Sequence, residues 1–280
     1  MPIEDVDFAL IGPGRLGLRL AQALIKAGWR CTKIRGRRDR KHYGHQLLPA
    51  GTPWDSWDEP IPSQTPPLII VSVEDDSITS VAEALVKELP PGPRVILHTS
   101  GLLTSDALDP CREAGARVAS WHPLQSFPIQ GHVEFSGIPC AIEGDQDAVT
   151  AGFHVADVLG LEPWIIDRNH KALYHAAAVV GANLSHILIR AACELLSTCP
   201  ALPLQPGAML APLIRTSLDR ALESEGFEHL TGPIARDDEM TIQKHFEVLP
   251  EELRRAYRAL AEYAQKEGRS SASDIEDPAP

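Results

Sequence analysis

Ala9-Leu10-Ile11-Gly12-Pro13-Gly14-Arg15-Leu16-Gly17-Leu18 is the stretch from which the rest of the chain can be read. The apolar run from Val6 to Ile11 predicts a buried strand, and the periodic run from Leu16 to Ala27 predicts a helix. Between them Gly12, Gly14 and Gly17 stand at G-x-G-x-x-G spacing. In a strand–turn–helix unit each glycine has a mechanical reason. The first permits the tight turn, the second lets a pyrophosphate approach the backbone, and the third lets helix and strand pack closely. The helix N-terminus adds unpaired N–H groups and a positive dipole end. Gly12, Pro13, Gly14, Arg15, Leu16 and Gly17 are therefore expected to form the phosphate-binding loop of a dinucleotide site.

The next segment selects among dinucleotides. A second strand is expected over Trp29 to Ile34, after the helix stop at Gly28. An NAD site would carry an acid near the end of that strand for the ribose 2′-hydroxyl. Here the sequence reads Ile34-Arg35-Gly36-Arg37-Arg38, with no carboxylate before Asp39. A guanidinium binds a phosphate bidentately and stays charged. Arg35, Arg37 and Arg38 are thus expected to hold a 2′-phosphate, which points to NADP(H). Charge agrees with this reading. The chain is acidic, with a net charge of −12, yet Lys26 to Lys41 holds eight basic residues and one acid. The overall balance argues against a nucleic-acid partner, and the local excess suggests a local anion.

Further along, His42 to Pro67 is loop-rich and proline-rich, with Trp54 and Trp57 expected to cover a sheet edge. Leu68 to Val73 is apolar throughout, as in a central parallel strand. Val73 and Glu74 are expected to face the cofactor, and the acids of Glu74-Asp75-Asp76-Ser77 to cap the following helix. More strands are expected at Arg94 to Leu97, Arg117 to Trp121, Ile138 to Ile142 and Pro163 to Ile166, with helices from Ser105 and over Ala148 to Leu159. From Asp167 the pattern turns helical. A long alanine-rich helix runs to about Thr198, and others follow over Ala208 to Ser224, Asp238 to Val248 and Pro250 to Lys266. The expected class is α/β: a parallel-sheet dinucleotide domain over residues 1–166, then an all-helical substrate and dimerisation domain over 167–268. Residues 269–280 are polar and are expected to be a disordered tail.

Cysteines are five, scattered and without C-x-x-C spacing, which suggests reduced thiols in a cytoplasmic protein and no metal site. The N-terminal residues lead directly into the first strand, so no signal or transit peptide is expected. No uninterrupted apolar run has the length of a membrane span.

Chemistry is expected from two places. In open α/β sheets ligands bind at strand C-termini, and His98, Ser100 and His122 stand at such ends. Ser100 could hold a substrate oxygen or the cofactor amide, and a histidine there could relay a proton. The long helix supplies Lys171, Tyr174 and His175 at i, i+3 and i+4, on one face. Asn183 lies about 12 Å further along at 1.5 Å per residue. His186 would be about 22 Å from Lys171 on a straight helix, too far to share one small substrate, and suits a structural or interface role. His122, His175, Ser100, Asn183 and Lys171 are the candidate catalytic residues.

Taken together, several segments carry a resemblance. They are Ile11-Gly12-Pro13-Gly14-Arg15-Leu16-Gly17, Val73-Glu74-Asp75-Asp76, His98-Thr99-Ser100-Gly101, His122-Pro123-Leu124-Gln125-Ser126-Phe127, Tyr174-His175-Ala176-Ala177-Ala178, Asn183 and Leu230-Thr231-Gly232-Pro233-Ile234-Ala235-Arg236. Over nearly its whole length the chain resembles a family of Rossmann-like predicted NADP-dependent oxidoreductases with a helical C-terminal domain of unassigned function. Glu74 departs from related reductases, which more often have proline there. Lys171 with Tyr174 and His175 is similar to the lysine helix of 6-phosphogluconate and β-hydroxyacid dehydrogenases, in which the lysine serves as acid/base. His175 here replaces their asparagine. Ser100 and His122-Pro123 are similar to prephenate dehydrogenase, whose serine and histidine contact the oxidised hydroxyl. The arrangement also resembles ketopantoate and pyrroline-carboxylate reductases. The resemblance implies hydride transfer between NADP(H) and a small carbonyl (keto acid) or imine in an interdomain cleft, by a homodimer joined through the helical domain. A catalytically idle NADP-binding sensor or interaction protein is the alternative, and the glycine motif is also compatible with a reductase of the deazaflavin F420.

Overall fold

The description of the fold rests on a computed structural model, which describes residues 6–37, 48–49, 51–56, 67–90, 92–128, 133–223 and 226–273. Eight strands form one sheet: β1 (Asp7–Ile11), β2 (Arg30–Gly36), β3 (Trp54–Ser56), β4 (Leu68–Val71), β5 (Val95–His98), β6 (Arg117–Pro123), β7 (Pro139–Gly144) and β8 (Glu162–Ile165). Their order is β3-β2-β1-β4-β5-β6-β7-β8. All neighbours are parallel except β6 and β7. The chain reverses direction across the sheet between β1 and β4, the position at which this architecture places its ligand.

Alternation along β1 sends Phe8 and Leu10 to one face and Ala9 and Ile11 to the other. The first face packs under helices α1 (Arg15–Lys26) and α4 (Gln146–Leu159), with Leu20, Leu24, Trp121, Ile142 and Val155 in the core. The second packs under α2 (Ile78–Glu88) and α3 (Asp109–Glu113), with Ile69, Val71, Ile78, Val81 and Leu108. A sheet covered on both faces explains why Leu68–Val71 is buried at every position.

Three local readings change. Trp54 does not merely cover the edge: it begins the edge strand β3, pairing with Ile34. Trp57 lies outside the described residues. The helix expected from Ser105 is a 3₁₀ turn, Ser105–Leu108, before the short α3, because Pro110 is tolerated only at a helix start. Asp167 accepts from the Asn169 N–H at 2.8 Å, so it caps a 3₁₀ turn rather than the long helix itself.

That helix is divided into α5 (Lys171–Ala178), a π-helical segment (Val179–Leu184) and α6 (Ser185–Ser197). The chain forms two compact units, Met1–Asn183 and Leu184–Pro280, so the division falls in the π segment rather than at residue 167. The reason is that Lys171 and Tyr174 are tied to the sheet. The second unit holds α6, α7 (Pro206–Glu223), α8 (Glu239–Val248) and α9 (Glu251–Ser273). Residues 269–273, expected in a disordered tail, are the last turn of α9. Among the described residues of this unit only Cys193 and Ala261 are buried apolar side chains. Arg168–Ser197, with a mean hydropathy of 1.4 over 18 residues, is long and apolar enough to cross a membrane by length and composition. That corrects the sequence reading, which found no apolar run of that length.

Candidate active site

Gly12 begins the site where β1 ends. Its φ is +89°, and a Cβ there would lie 2.6 Å from the Ser72 carbonyl carbon and 2.7 Å from Val73 Cγ1. Gly17 is equally constrained, since a Cβ would run into the Gly12 carbonyl oxygen. Gly14 differs. Among the described residues a Cβ on it would meet only Ser72 O, at 3.9 Å, and its φ is an ordinary −74°. Packing among the described residues does not demand glycine at 14. Gly14 is also the N-cap of α1, with no side-chain cap and no acid in the first turn. The first N–H groups of the helix thus meet no competing carboxylate from that turn.

A cavity of about 420 Å³ opens there, lined by Gly12, Pro13 and Gly14, by Arg35 and Arg37 from the end of β2, and by Val73, Glu74 and Ser77 beyond β4. β2 extends two residues further than expected, so Arg35 lies within the strand. Its guanidinium is buried and pairs with Glu88 at 2.7 Å. Arg37 is exposed and pairs with Glu74 at 3.3 Å. Of the three arginines expected to read a phosphate, Arg35 and Arg37 therefore carry carboxylate partners. Glu74 is occupied with Arg37 and makes no side-chain cap on the turn that follows it. Arg38 lies outside the described residues. Arg15 and Leu16 form the first turn of α1.

The second half of the site lies two strands away, about 10 Å at roughly 5 Å per strand. Thr99 Oγ1 donates to Ser72 Oγ at 3.2 Å, linking the cavity to the turn after β5. In that turn His98 Nε2 donates to Thr104 O at 3.0 Å, and its Nδ1 accepts from the Ser100 N–H at 3.2 Å. Both ring nitrogens are used, and burial pushes the imidazole down to about 4. Ser100 is buried as well. Its Oγ accepts from the N–H groups of Leu102 and Leu103 at 3.1 and 2.9 Å, so the hydroxyl closes the turn.

Gly101 sits at the centre. A Cβ there would stand 2.7 Å from His175 Cδ2 and 2.8 Å from His122 Nε2. The two imidazoles, with centroids 6.3 Å apart, therefore meet over one glycine. His122 Nδ1 is 2.9 Å from the Tyr174 hydroxyl, and Tyr174 packs edge-on against Trp164. Burial, then Lys171 and His175 nearby, push His122 down to about 4. Burial raises the Tyr174 phenol.

Lys171, although near a helix start, is not solvated but fully buried. Its Nζ donates to Ser120 Oγ at 2.6 Å and to Ser100 O at 3.3 Å, and Ser120 Oγ donates to the same carbonyl at 3.2 Å. Burial lowers the ammonium to about 8, opposed by Glu143. Glu143 pairs across the strands with Ser120 and accepts from the N–H and Oγ of Ser105 at 2.6 and 3.0 Å.

Asn183 is exposed on the π segment, and its side chain makes no hydrogen bond among the described residues. In a regular α-helix it would stand about 80° round from His175; the wider i→i+5 turns reduce that angle. His98, Gly101, Ser120, Tyr174 and Trp164 complete the cluster. His98 and Tyr174 were visible in the sequence as polar groups at a strand end and on the helix face. Gly101 stood in one of the segments that carry the resemblance, without a role, and nothing local marked Ser120 or Trp164.

Comparison with known proteins places this geometry in context. Residues 138–264 match a family model described as a domain of unknown function (DUF2520). No curated protein matches the chain. Among solved structures, a candidate NADP oxidoreductase from Bacteroides fragilis is 24% identical, with a TM-score of 0.79 over 94% of this chain and 99% of that one. A reductive aminase from Aspergillus terreus, solved with NADPH and ethyl-5-oxohexanoate, is 14% identical, with a TM-score of 0.65 over 95% of each chain. A pyrroline-5-carboxylate reductase from Coxiella burnetii is also 14% identical, with a TM-score of 0.57 over 93% of this chain and 98% of that one. By fold the chain is therefore a Rossmann-type α/β protein with a helical C-terminal part, and its residues 138–264 match the DUF2520 family.

Proposed function

We propose that the protein is an NADP(H)-dependent oxidoreductase that reduces a small carbonyl or imine, or runs the reverse reaction. The observation that carries this reading is Gly14. It is a glycine that packing among the described residues does not require, at the N-cap of an uncapped helix and beside a cavity lined by two arginines. A pyrophosphate backbone fits that requirement. Gly12, Pro13, Gly14, Arg15, Leu16 and Gly17 would hold it. Arg37, with Arg35 behind it and Arg38 after it, would hold the 2′-phosphate, and Val73 and Glu74 would border the ribose. The cofactor supplies the hydride. Similarity in fold to reductases solved with NADPH supports the same assignment.

The chain's own residues then bind, orient and supply hydrogen bonds. His122 and His175 meet over Gly101, where a small carbonyl or imine can approach a ring N–H. His122 is uncharged near neutral pH, so it acts there as a hydrogen-bonding imidazole and not as a cation. Ser100 and Lys171 hold the turn that carries Gly101. Asn183, eight residues beyond His175 on the same helix, would hold the polar end of the substrate. A homodimer through the helical part belongs to this proposal. Leu173, Val180 and Ile187 of the long helix are exposed, and so are Leu213, Leu222 and Val248. A second copy would cover them.

A second reading is favoured by one observation. Ser100 Oγ and Lys171 Nζ are both spent on the chain itself, as in a protein that binds NADP(H) without turnover. Steady-state NADPH oxidation against a panel of keto acids and cyclic imines separates the two. Turnover of any member supports the reductase, whereas tight NADPH binding without turnover supports the idle binder. Failure to bind NADPH overturns both.

A further inference from the structure

The contact between His122 and Tyr174 does more than fill space. His122 Nδ1 and the Tyr174 hydroxyl are 2.9 Å apart, and this is the only hydrogen bond of that hydroxyl among the described residues. A neutral imidazole has one N–H and one lone pair, and the partner of one nitrogen decides which is which. Were Nδ1 the donor, the phenolic proton would be left without an acceptor among the described residues. A phenol with its body packed, here against Trp164, normally places its proton in a hydrogen bond. The phenol O–H therefore donates to Nδ1, and the ring proton is on Nε2.

The other nitrogen points to the functional half of the cluster. Nε2 lies 2.8 Å from the point that a Gly101 side chain would occupy, and His175 Cδ2 borders the same point at 2.7 Å. The absence of a side chain at 101 leaves Nε2 next to bare backbone.

We propose that Tyr174 is a positioning residue, which holds His122 as its Nε2–H tautomer and so presents a hydrogen-bond donor over Gly101 to the heteroatom of a carbonyl or imine. The substrate part of this statement rests on the reductase reading; the tautomer part does not. The ring is half-buried and its surroundings hold it uncharged, which keeps it in the state in which tautomer choice matters. His98 shows the same device within the sheet: its Nδ1 accepts from a main-chain N–H, and its Nε2 is thereby the donor, to Thr104 O.

The test is nitrogen NMR of the full chain labelled in its histidine rings, near neutral pH, with His122 identified from a His122→Asn sample. In the wild type Nδ1 of His122 is expected to give a pyridine-type signal and Nε2 a pyrrole-type signal. In Tyr174→Phe, which removes a single oxygen, the two signals should move toward averaged tautomer values. A pyrrole-type Nδ1 in the wild type overturns the proposal without any variant. An unchanged pattern in a folded Tyr174→Phe protein overturns it too. A kinetic arm tests the substrate part. With any carbonyl or imine that is turned over, Tyr174→Phe should lower kcat roughly tenfold, the worth of one hydrogen bond, and leave KM for NADPH within about twofold. A raised cofactor KM with unchanged kcat would refute the positioning role. The expected tautomer together with no turnover on the whole panel would count against the reductase reading and leave the tautomer assignment standing.

Discussion

Alanine substitutions at the three glycines of the first turn separate what the fold needs from what a ligand needs. At Gly12 an added Cβ meets Ser72 backbone and Val73 Cγ1 at a φ of +89°. Left-handed backbone costs a non-glycine residue roughly 1–2 kcal/mol, and overpacking against main chain about 1–3 kcal/mol. Gly12→Ala should therefore lose about 2–5 kcal/mol, or about 5–15 °C in Tm for a unit of this size. At Gly17 the added methyl runs into the Gly12 carbonyl oxygen. The similar overpacking cost is offset by a gain in helix propensity of about 1 kcal/mol, so the loss should be smaller. At Gly14 the nearest atom is 3.9 Å away and φ is ordinary. Alanine is a poorer N-cap than glycine by several tenths of a kcal/mol, roughly, and the stiffer unfolded chain returns about 0.4–1 kcal/mol. Gly14→Ala should melt within about 2 °C of the wild type. Yet the methyl would stand where a pyrophosphate must approach, and each charged hydrogen bond lost is worth about 1.5–3 kcal/mol. NADPH affinity should fall by at least about tenfold. Thermal unfolding and calorimetric titration read the two quantities separately. A Gly14→Ala protein with wild-type NADPH affinity would refute the placement of the phosphates. A Gly12→Ala protein as stable as the wild type would refute the turn geometry.

Cofactor choice gives the next test: the wild type should prefer NADPH to NADH in calorimetry, and Arg35→Ala/Arg37→Ala/Arg38→Ala should lose that preference. Equal affinities in the wild type would show the basic block to be ordinary surface. Glu74→Gln should raise NADPH affinity, and not NADH affinity, by less than about fivefold, because the Arg37 pair it breaks is exposed and worth at most about 1 kcal/mol. Acid should destabilise the protein. His98 and His122 are held at about 4 when folded and return to the ordinary 6.5 when unfolded. The unfolded chain therefore binds more protons, and stability present above pH 6.5 is lost as pH falls toward 4, by up to about 3 kcal/mol per histidine. Urea unfolding at several pH values measures this, and His98→Gln should flatten the dependence; an unchanged slope would contradict the burial of His98. Light scattering at micromolar concentration should give twice 30.5 kDa. A monomer would reject the dimer, and a protein recovered only in detergent would point to a membrane for the apolar helix.

How much of this was legible in the chain depends on the distance over which the residues act. The glycine turn is local. Strand, turn and helix follow one another within twenty residues, so spacing alone determined Gly12, Gly14 and Gly17 and the start of α1. The uniform apolarity of Leu68–Val71 likewise announced a strand covered on both faces. The helical character of everything after Asp167 was visible in its periodicity.

Long-range pairing was decided by the tertiary structure. Arg35 looks like a free phosphate reader in sequence, and only folding brings Glu88, 53 residues away, to its guanidinium. Glu74 looks like a helix cap, and only the adjacency of β2, β1 and β4 sets it against Arg37. The periodicity of the long helix shows that Lys171, Tyr174 and His175 share a face, but not what that face meets. It is the crossing of the helix start over the ends of β5 and β6 that buries Lys171 on Ser120 and Ser100 and gives His122 to Tyr174. Side-chain pattern reports whether a surface is covered. Which atoms cover it is determined by loop closure between distant segments, and no local spacing encodes that.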